Sequence, residues 1–244
     1  MGAGASQRGA VENLVMLRRR LLAAPALLLA PRARAAAGPV VVELFTSQGC
    51  SSCPPADALL TELSARPEVL ALSFHVTYWD RLGWRDPFSL AEATERQRRY
   101  AGTLRGASLG QGQVYTPQVV VQGARDAVGS DRRALLAALD AARPAAVPLA
   151  LAADGDNLAI AAGEGAGSGL FWLVGFDRMH STAVGRGENG GRRLSHSNVV
   201  RSLVSLGAWQ GRPARLSAPR PAGERMAVLL QAADGHMLGA AVLA

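Results

Sequence analysis

Apolar residues change their spacing twice along this chain. Val40-Val41-Val42-Glu43-Leu44-Phe45 is a short β-branched run that reads as a buried strand. Ala56, Leu59, Leu60 and Leu63 then recur at helical spacing and predict a helix from about Ser51 to Ser64. Val69–Val76 is a second strand, and Ser89 with Glu92 forms a capping box for a helix through about Tyr100. Val114–Val121 reads as a third strand with Pro117 inside it. Gln122-Gly123-Ala124-Arg125 turns the chain into a short fourth, and Asp131 caps a last helix reaching Ala142. From Ala145 the helical spacing stops. Leu149–Ala153, Leu158–Ala162, Leu170–Phe176, Ser181–Val184, Val199–Leu206, Met226–Ala232 and Met237–Leu243 read as strands between Asp-Gly or Gly-rich turns, and Pro144 and Pro148 mark the join.

Between the first strand and first helix stand Cys50-Ser51-Ser52-Cys53, the only two cysteines of 244 residues. A staple closing about four residues is worth only ~2 kcal/mol in the chain-entropy model, against ~3 for fifteen. The pair therefore reads as reactive chemistry or a metal clip. Pro54 and Pro55 fall in the first helical turn, where no intrahelical N–H is lost. Cys50 is thus expected at a helix N-terminus, which favours a thiolate. Strand, turn, Cys-x-x-Cys, helix opens a thioredoxin-like domain, and the β-α-β-α-β-β-α order matches one. The expected fold is an α/β thioredoxin-like domain over 38–144, then a small all-β, sandwich-like antiparallel domain over 145–244.

Residues 1–37 carry export features. Arg18-Arg19-Arg20 precede the apolar run Leu21–Ala30, and Ala33-Arg34-Ala35 gives a small-x-small cleavage pattern. The run is short for a bilayer span and holds a proline, so no stable membrane span is expected. Export to the periplasm or the medium is expected, by the general or twin-arginine route. The formal charge of +7 shrinks once this segment is set aside. It holds six of the 26 basic and one of the 19 acidic residues, leaving +2. That removes the electrostatic case for nucleic acid. Every basic residue is Arg, so lysine chemistry such as a Schiff base or a P-loop is excluded.

Other residues are weighed against plainer roles. Zinc lacks a second Cys-x-x-Cys or His-x-x-x-His pair. Copper(I) on Cys50, Cys53 and His75 is chemically allowed, since soft thiolates select it, and an inert local disulfide is a further alternative. No cofactor is expected. His75, at a strand end, reads as a hydrogen-bonded core histidine. Tyr78, Trp79, Trp84 and Phe88 form either an apolar rim for a ligand or a satellite core pinning their loop. Gly185-x-Gly187-x-x-Gly190 lacks the βαβ context of a dinucleotide site and reads as a hairpin loop. Glu188, Asn189, His196, Asn198 and Arg201 make their loop the most polar and potentially functional part of the second half, against the plainer reading of a solvated loop whose side chains hold its own backbone.

The chain resembles DUF1223, a family of secreted bacterial thioredoxin-like proteins. The resemblance rests on Val42–Asp57, Phe74-His75-Val76, Tyr78-Trp79-Asp80, Leu82-Gly83-Trp84, Val114–Gln118, Arg186–Asn189 and His196-x-Asn198–Arg201. Similarity to thioredoxins implies a cis Thr116–Pro117 bond facing the cysteines, with Thr116 pairing to a substrate backbone. It also exposes departures: Gly49 precedes the first cysteine, and the carboxylate expected behind the second falls at Leu44, with Glu43 on the opposite strand face. The expected function is an exported thiol–disulfide oxidoreductase or redox-linked protein. Cys50 would attack, Cys53 resolve, and Thr116, Pro117, Tyr78 and Trp79 dock the substrate. Its candidate partners are exported proteins bearing thiols or disulfides. The alternatives are a binding module with an inert disulfide and a copper-handling protein.

Overall fold

A computed structural model describes residues 1, 38–104 and 112–243. The proposed export segment at 2–37 lies outside the described residues. The elements are β1 (Val40–Thr46), α1 (Pro54–Ser64), β2 (Val69–His75), α2 (Ala91–Thr103), β3 (Gln118–Val121), β4 (Arg125–Val128) and α3 (Arg132–Asp140). The second half adds β5 (Leu149–Asp154), β6 (Asn157–Ala162), β7 (Gly169–Ala183), β8 (Arg193–Trp209), β9 (Ala214–Pro219), β10 (Arg225–Gln231) and β11 (Met237–Val242). Among the described residues no helix is long and apolar enough to cross a membrane.

The strands form one eight-stranded mixed sheet, ordered β11-β10-β7-β8-β2-β1-β3-β4, and a three-stranded sheet, β5-β6-β9. This overturns the expected α/β thioredoxin-like domain followed by a separate small all-β domain. The protein is mostly β, and strands of the second half extend the sheet of the first. β8 joins β2 in parallel at Ser73–Val199, and Asn198, with a left-handed φ of 49°, donates its Nδ2 to the Ala71 carbonyl. The physical reason is visible in Phe171–Phe176 and Met226–Leu230. Both runs are buried at every position, as in strands covered on two faces, whereas a two-sheet sandwich buries alternate residues.

Strand alternation sorts the cores. Val42 and Leu44 face α1 and α3, while Val41 and Phe45 face α2, with Phe74, Tyr100, Trp172, Val174 and Phe176. The small sheet packs its Leu158 and Ile160 against Phe171, Leu173 and Val228. Local boundaries shift for local reasons. α1 begins at Pro54 with Cys53 as N-cap, and its two prolines occupy the first turn, where no intrahelical N–H is lost. α2 is capped by Leu90, since Ser89 Oγ instead donates to Asp80 and to the Asp86 carbonyl. Asp131 caps α3 through the Ala134 N–H at 2.9 Å. β3 starts after Pro117. β7 runs unbroken through the polar Asp177–His180 stretch, and β9 forms where the apolar pattern predicts no strand.

Candidate functional site

Cys50 and Cys53 form a disulfide, with Cα atoms 5.4 Å apart. Ser51 and Ser52 between them are exposed, yet both cysteines are 0% exposed. Cys50, expected to attack, and Cys53, expected to resolve, are therefore equally buried in this disulfide form. Cys50 stands three residues ahead of the N-cap, in a turn closed by the Cys53 N–H on its carbonyl at 3.2 Å.

The connection between β7 and β8 holds this turn. The Glu188 carboxylate accepts from the Ser51 N–H at 3.0 Å. The Ser51 side chain first, and this N–H second, hold the Glu188 pKa below the usual value. Asn189, wholly buried, donates its Nδ2 to the carbonyls of Gln48 and Cys50 at 3.0 and 2.9 Å, and Arg192 donates to its Oδ1. In place of a solvated loop holding its own backbone, these side chains reach the cysteine turn. Their polarity was visible, but their contacts lie about 140 residues away in sequence, which no local pattern reports. The glycines do form a hairpin connection: Gly187 has a φ of +74°, and a Cβ there would meet Trp84 Cβ at 3.2 Å.

The four proposed docking residues come together in part. The Thr116–Pro117 bond is cis, and Pro117 is buried. Trp79 donates its Nε1 to Thr116 Oγ1 at 2.8 Å, and a Cβ on Gly49 would lie 3.2 Å from Trp79 Cβ. Trp79 thus spans from the residue before Cys50 to the residue before Pro117. Tyr78 turns inward to Gln97 at 3.2 Å, and burial pushes its phenol up to about 12. Trp84 donates to Gln48 Oε1 at 3.0 Å, while Phe88 is buried against His75 and His180. All four aromatics of this loop make internal contacts.

Beneath the cysteine turn lies a buried polar cluster, and the alternation of β1 and β2 puts it there. Thr46 and His75 share the strand face that meets α1. Thr46 Oγ1 donates to Asp57 Oδ1 at 2.8 Å. Asp57 sits one helical turn after Cys53, and its N–H bonds the Cys53 carbonyl at 3.1 Å. Its other oxygen is 3.5 Å from His196 Nε2, an ion-pair distance longer than a hydrogen bond. The His196 ring packs edge-on to His75, with centroids 4.7 Å apart. His75 Nδ1 meets Asp86 Oδ2 at 2.6 Å, and Asp86 also accepts from the Gln48 and Phe88 N–H groups.

Burial alone would lower the His75 pKa, but the charge and hydrogen bond of Asp86 outweigh it and hold the imidazole above its usual value. Burial likewise opposes the Asp86 charge, and His75 with the two backbone donors brings that carboxyl below the usual range. His75 Nε2, both ring nitrogens of His196 and Gln48 Nε2 have no hydrogen-bond partner among the described residues. Also among these residues, no group of three or more His, Cys, Asp or Glu is arranged to hold a metal ion. His75 is the hydrogen-bonded core histidine expected. His196, expected in a polar loop, sits inside β8.

The model of the family described as a protein of unknown function, DUF1223, matches residues 41–231. A crystal structure of protein AGR_C_4864 from Agrobacterium tumefaciens is 34% identical, with a TM-score of 0.71, covering 85% of this chain and 94% of that one. HBP35 of Porphyromonas gingivalis is 17% identical at a TM-score of 0.55, covering 84% and 74%, a likeness of fold alone. No curated protein matches. The chain belongs to the DUF1223 family.

Proposed function

We propose that this member of the DUF1223 family is an exported thiol–disulfide oxidoreductase or redox-linked protein working through Cys50 and Cys53. The observation that carries the reading is the pairing of the chain's only two cysteines in a disulfide whose intervening serines are exposed, directly ahead of a helix whose next turn faces buried titratable groups. A buried disulfide kept only as a staple has no use for such neighbours, since unpaired polar groups cost about 1–3 kcal/mol each. Thr116, Pro117, Tyr78 and Trp79 would line the approach of an exported thiol- or disulfide-bearing partner. Its attack on Cys50 requires the Ser51–Ser52 turn to move away from Glu188.

A second reading is favoured by one observation, the complete burial of both cysteines. On that reading the disulfide is inert and the scaffold binds a ligand. The reduction potential of the mature protein separates the two. A working couple lies between about −120 and −270 mV, and a structural one below about −300 mV. A value below −300 mV would sink the redox reading.

A further inference from the structure

Strand alternation puts Phe176, Val174, Trp172 and Leu170 of β7 on one face, and α2 covers that stripe incompletely. Phe176 and Val174 are at most 1% exposed, Trp172 is 8% and Leu170 is 43% exposed. α2 ends at Thr103 and leaves a trough of about 420 Å³, lined among others by Leu170, Trp172, Ala208, Arg96, Arg99 and Gln231. An apolar cavity of this size with a few polar groups suits a small molecule. The trough and the cysteines lie at opposite ends of β1. Gly235, at the trough, packs on Gly123, next to the Gln122 bond to Val41, whereas Cys50 follows Thr46 at the other end. The site is therefore independent of the redox reading.

Two guanidinium groups lie over the Trp172 ring, Arg99 at 4.9 Å and Arg96 at 5.7 Å from its centroid. Arg96 is balanced by Glu43 and tied to Gln231. Arg99 has no ion-pair or hydrogen-bond partner for its side chain among the described residues, and Glu95, one turn earlier, pairs with Arg98 instead. Partial burial first, and the Arg96 charge second, lower the Arg99 pKa, so its cation is under-compensated. Asp234, between the lining residues Ala233 and Gly235, is bonded to its neighbour His236. The chain's own segments outside the described residues offer little complement. Residues 105–111 contain Arg105 and no acidic residue, and 2–37 contain six arginines against Glu12 alone.

We infer that this trough binds an amphipathic organic carboxylate, whose two oxygens meet the Arg99 guanidinium while its hydrocarbon body lies along Trp172, Leu170 and Ala208. A guanidinium presents paired N–H donors that match the two oxygens of a carboxylate. One uncompensated cation calls for one negative charge. The surface beside it is apolar, and covering the exposed part of Leu170 adds a hydrophobic gain. Gln231 is spent on Arg96, Tyr100 and Gly235, so it fixes the wall and leaves the ligand to Arg99.

The experiment is a calorimetric titration of the full mature protein with octanoate, beside octanol and octylammonium, which keep the hydrocarbon and remove or reverse the charge. Octanoate should saturate one site below about 10 mM, octanol should bind about tenfold more weakly, and octylammonium should not bind. R99Q should weaken octanoate about tenfold, while R133Q, on the exposed side of α3, should leave it unchanged. A208W, which fills the trough from β8, should abolish binding. The absence of saturable octanoate binding, or an unchanged affinity in folded R99Q or folded A208W, overturns the inference. Equal affinities for octanoate and octanol overturn it too. A second measurement needs no variant: octanoate should move the indole N–H resonance of Trp172 and leave those of Trp79 and Trp84 in place. The reverse pattern would put the ligand beside the cysteines and also overturns it.

Discussion

Two charged clusters are buried on opposite faces of the same strands, and they differ in how completely they are satisfied. On the α2 face, Arg96 pairs with Glu43 at 2.5 Å, donates to Gln231 and Tyr100, and lies over the rings of Phe74, Tyr100 and Trp172. Tyr100 donates to Glu43 as well. On the α1 face, Asp57, His75, Asp86 and His196 are as deeply buried, but several of their ring nitrogens have no partner among the described residues. A fully connected network fixes geometry and is costly to disturb. A partly connected one leaves buried polar atoms unsatisfied, and here it lies under the helix that follows the cysteines.

The sharpest break of this comparison is R96M. It leaves the Glu43 carboxylate buried without its cation, and removal of one partner of a buried pair costs about 3–5 kcal/mol. Urea denaturation should show that loss, and E43L/R96M should recover most of it. If the double variant is as unstable as the single one, the network is not a closed unit.

On the other face, N189A takes the Asn189 donor from the buried Gln48 carbonyl and leaves the Cys50 carbonyl only the Cys53 N–H, and an orphaned buried group costs about 1–3 kcal/mol. The expected outcome is a lower urea midpoint together with faster disulfide reduction. Unchanged reduction would mean the β7–β8 connection does not guard the cysteines.

A smaller effect is the pH dependence of stability. His75 titrates above its usual value of 6.5 in the folded protein, so its contribution is fully present below about 6.5 and is lost as pH rises through the raised value. Asp86 titrates below 3.8, so its contribution is present above about 3.8 and is lost as pH falls through the lowered value. Stability from this pair is therefore greatest between about pH 4 and 6.5. In H75Q the decline above that window should vanish when urea midpoints are compared across pH, while the Arg96 network adds no slope there.

E188A should have the smallest effect. The carboxylate is fully exposed, so stability should hardly change, but freeing the Ser51 N–H should speed reduction by dithiothreitol a few-fold. No change in rate would assign the guarding of the turn to Asn189 alone.

Much of the first half was legible because its signals are local. Val40–Phe45, the Leu59–Leu63 spacing, the two prolines after Cys53 and the Asp131 cap each fix a backbone choice within a few residues. The sequence by itself therefore determined that a strand, a turn bearing the only cysteine pair and a helix follow one another, and that Glu43 and Leu44 face opposite ways. Tertiary structure alone decided what those faces meet. β8 adds to the edge of β2, which merges the two halves into one sheet and carries His196 and Asn198 to the first half. Asn189 closes over Cys50 from about 140 residues away. Hydrophobic spacing reports how a segment is covered, while strand pairing and the reach of a polar side chain depend on partners that are distant in sequence.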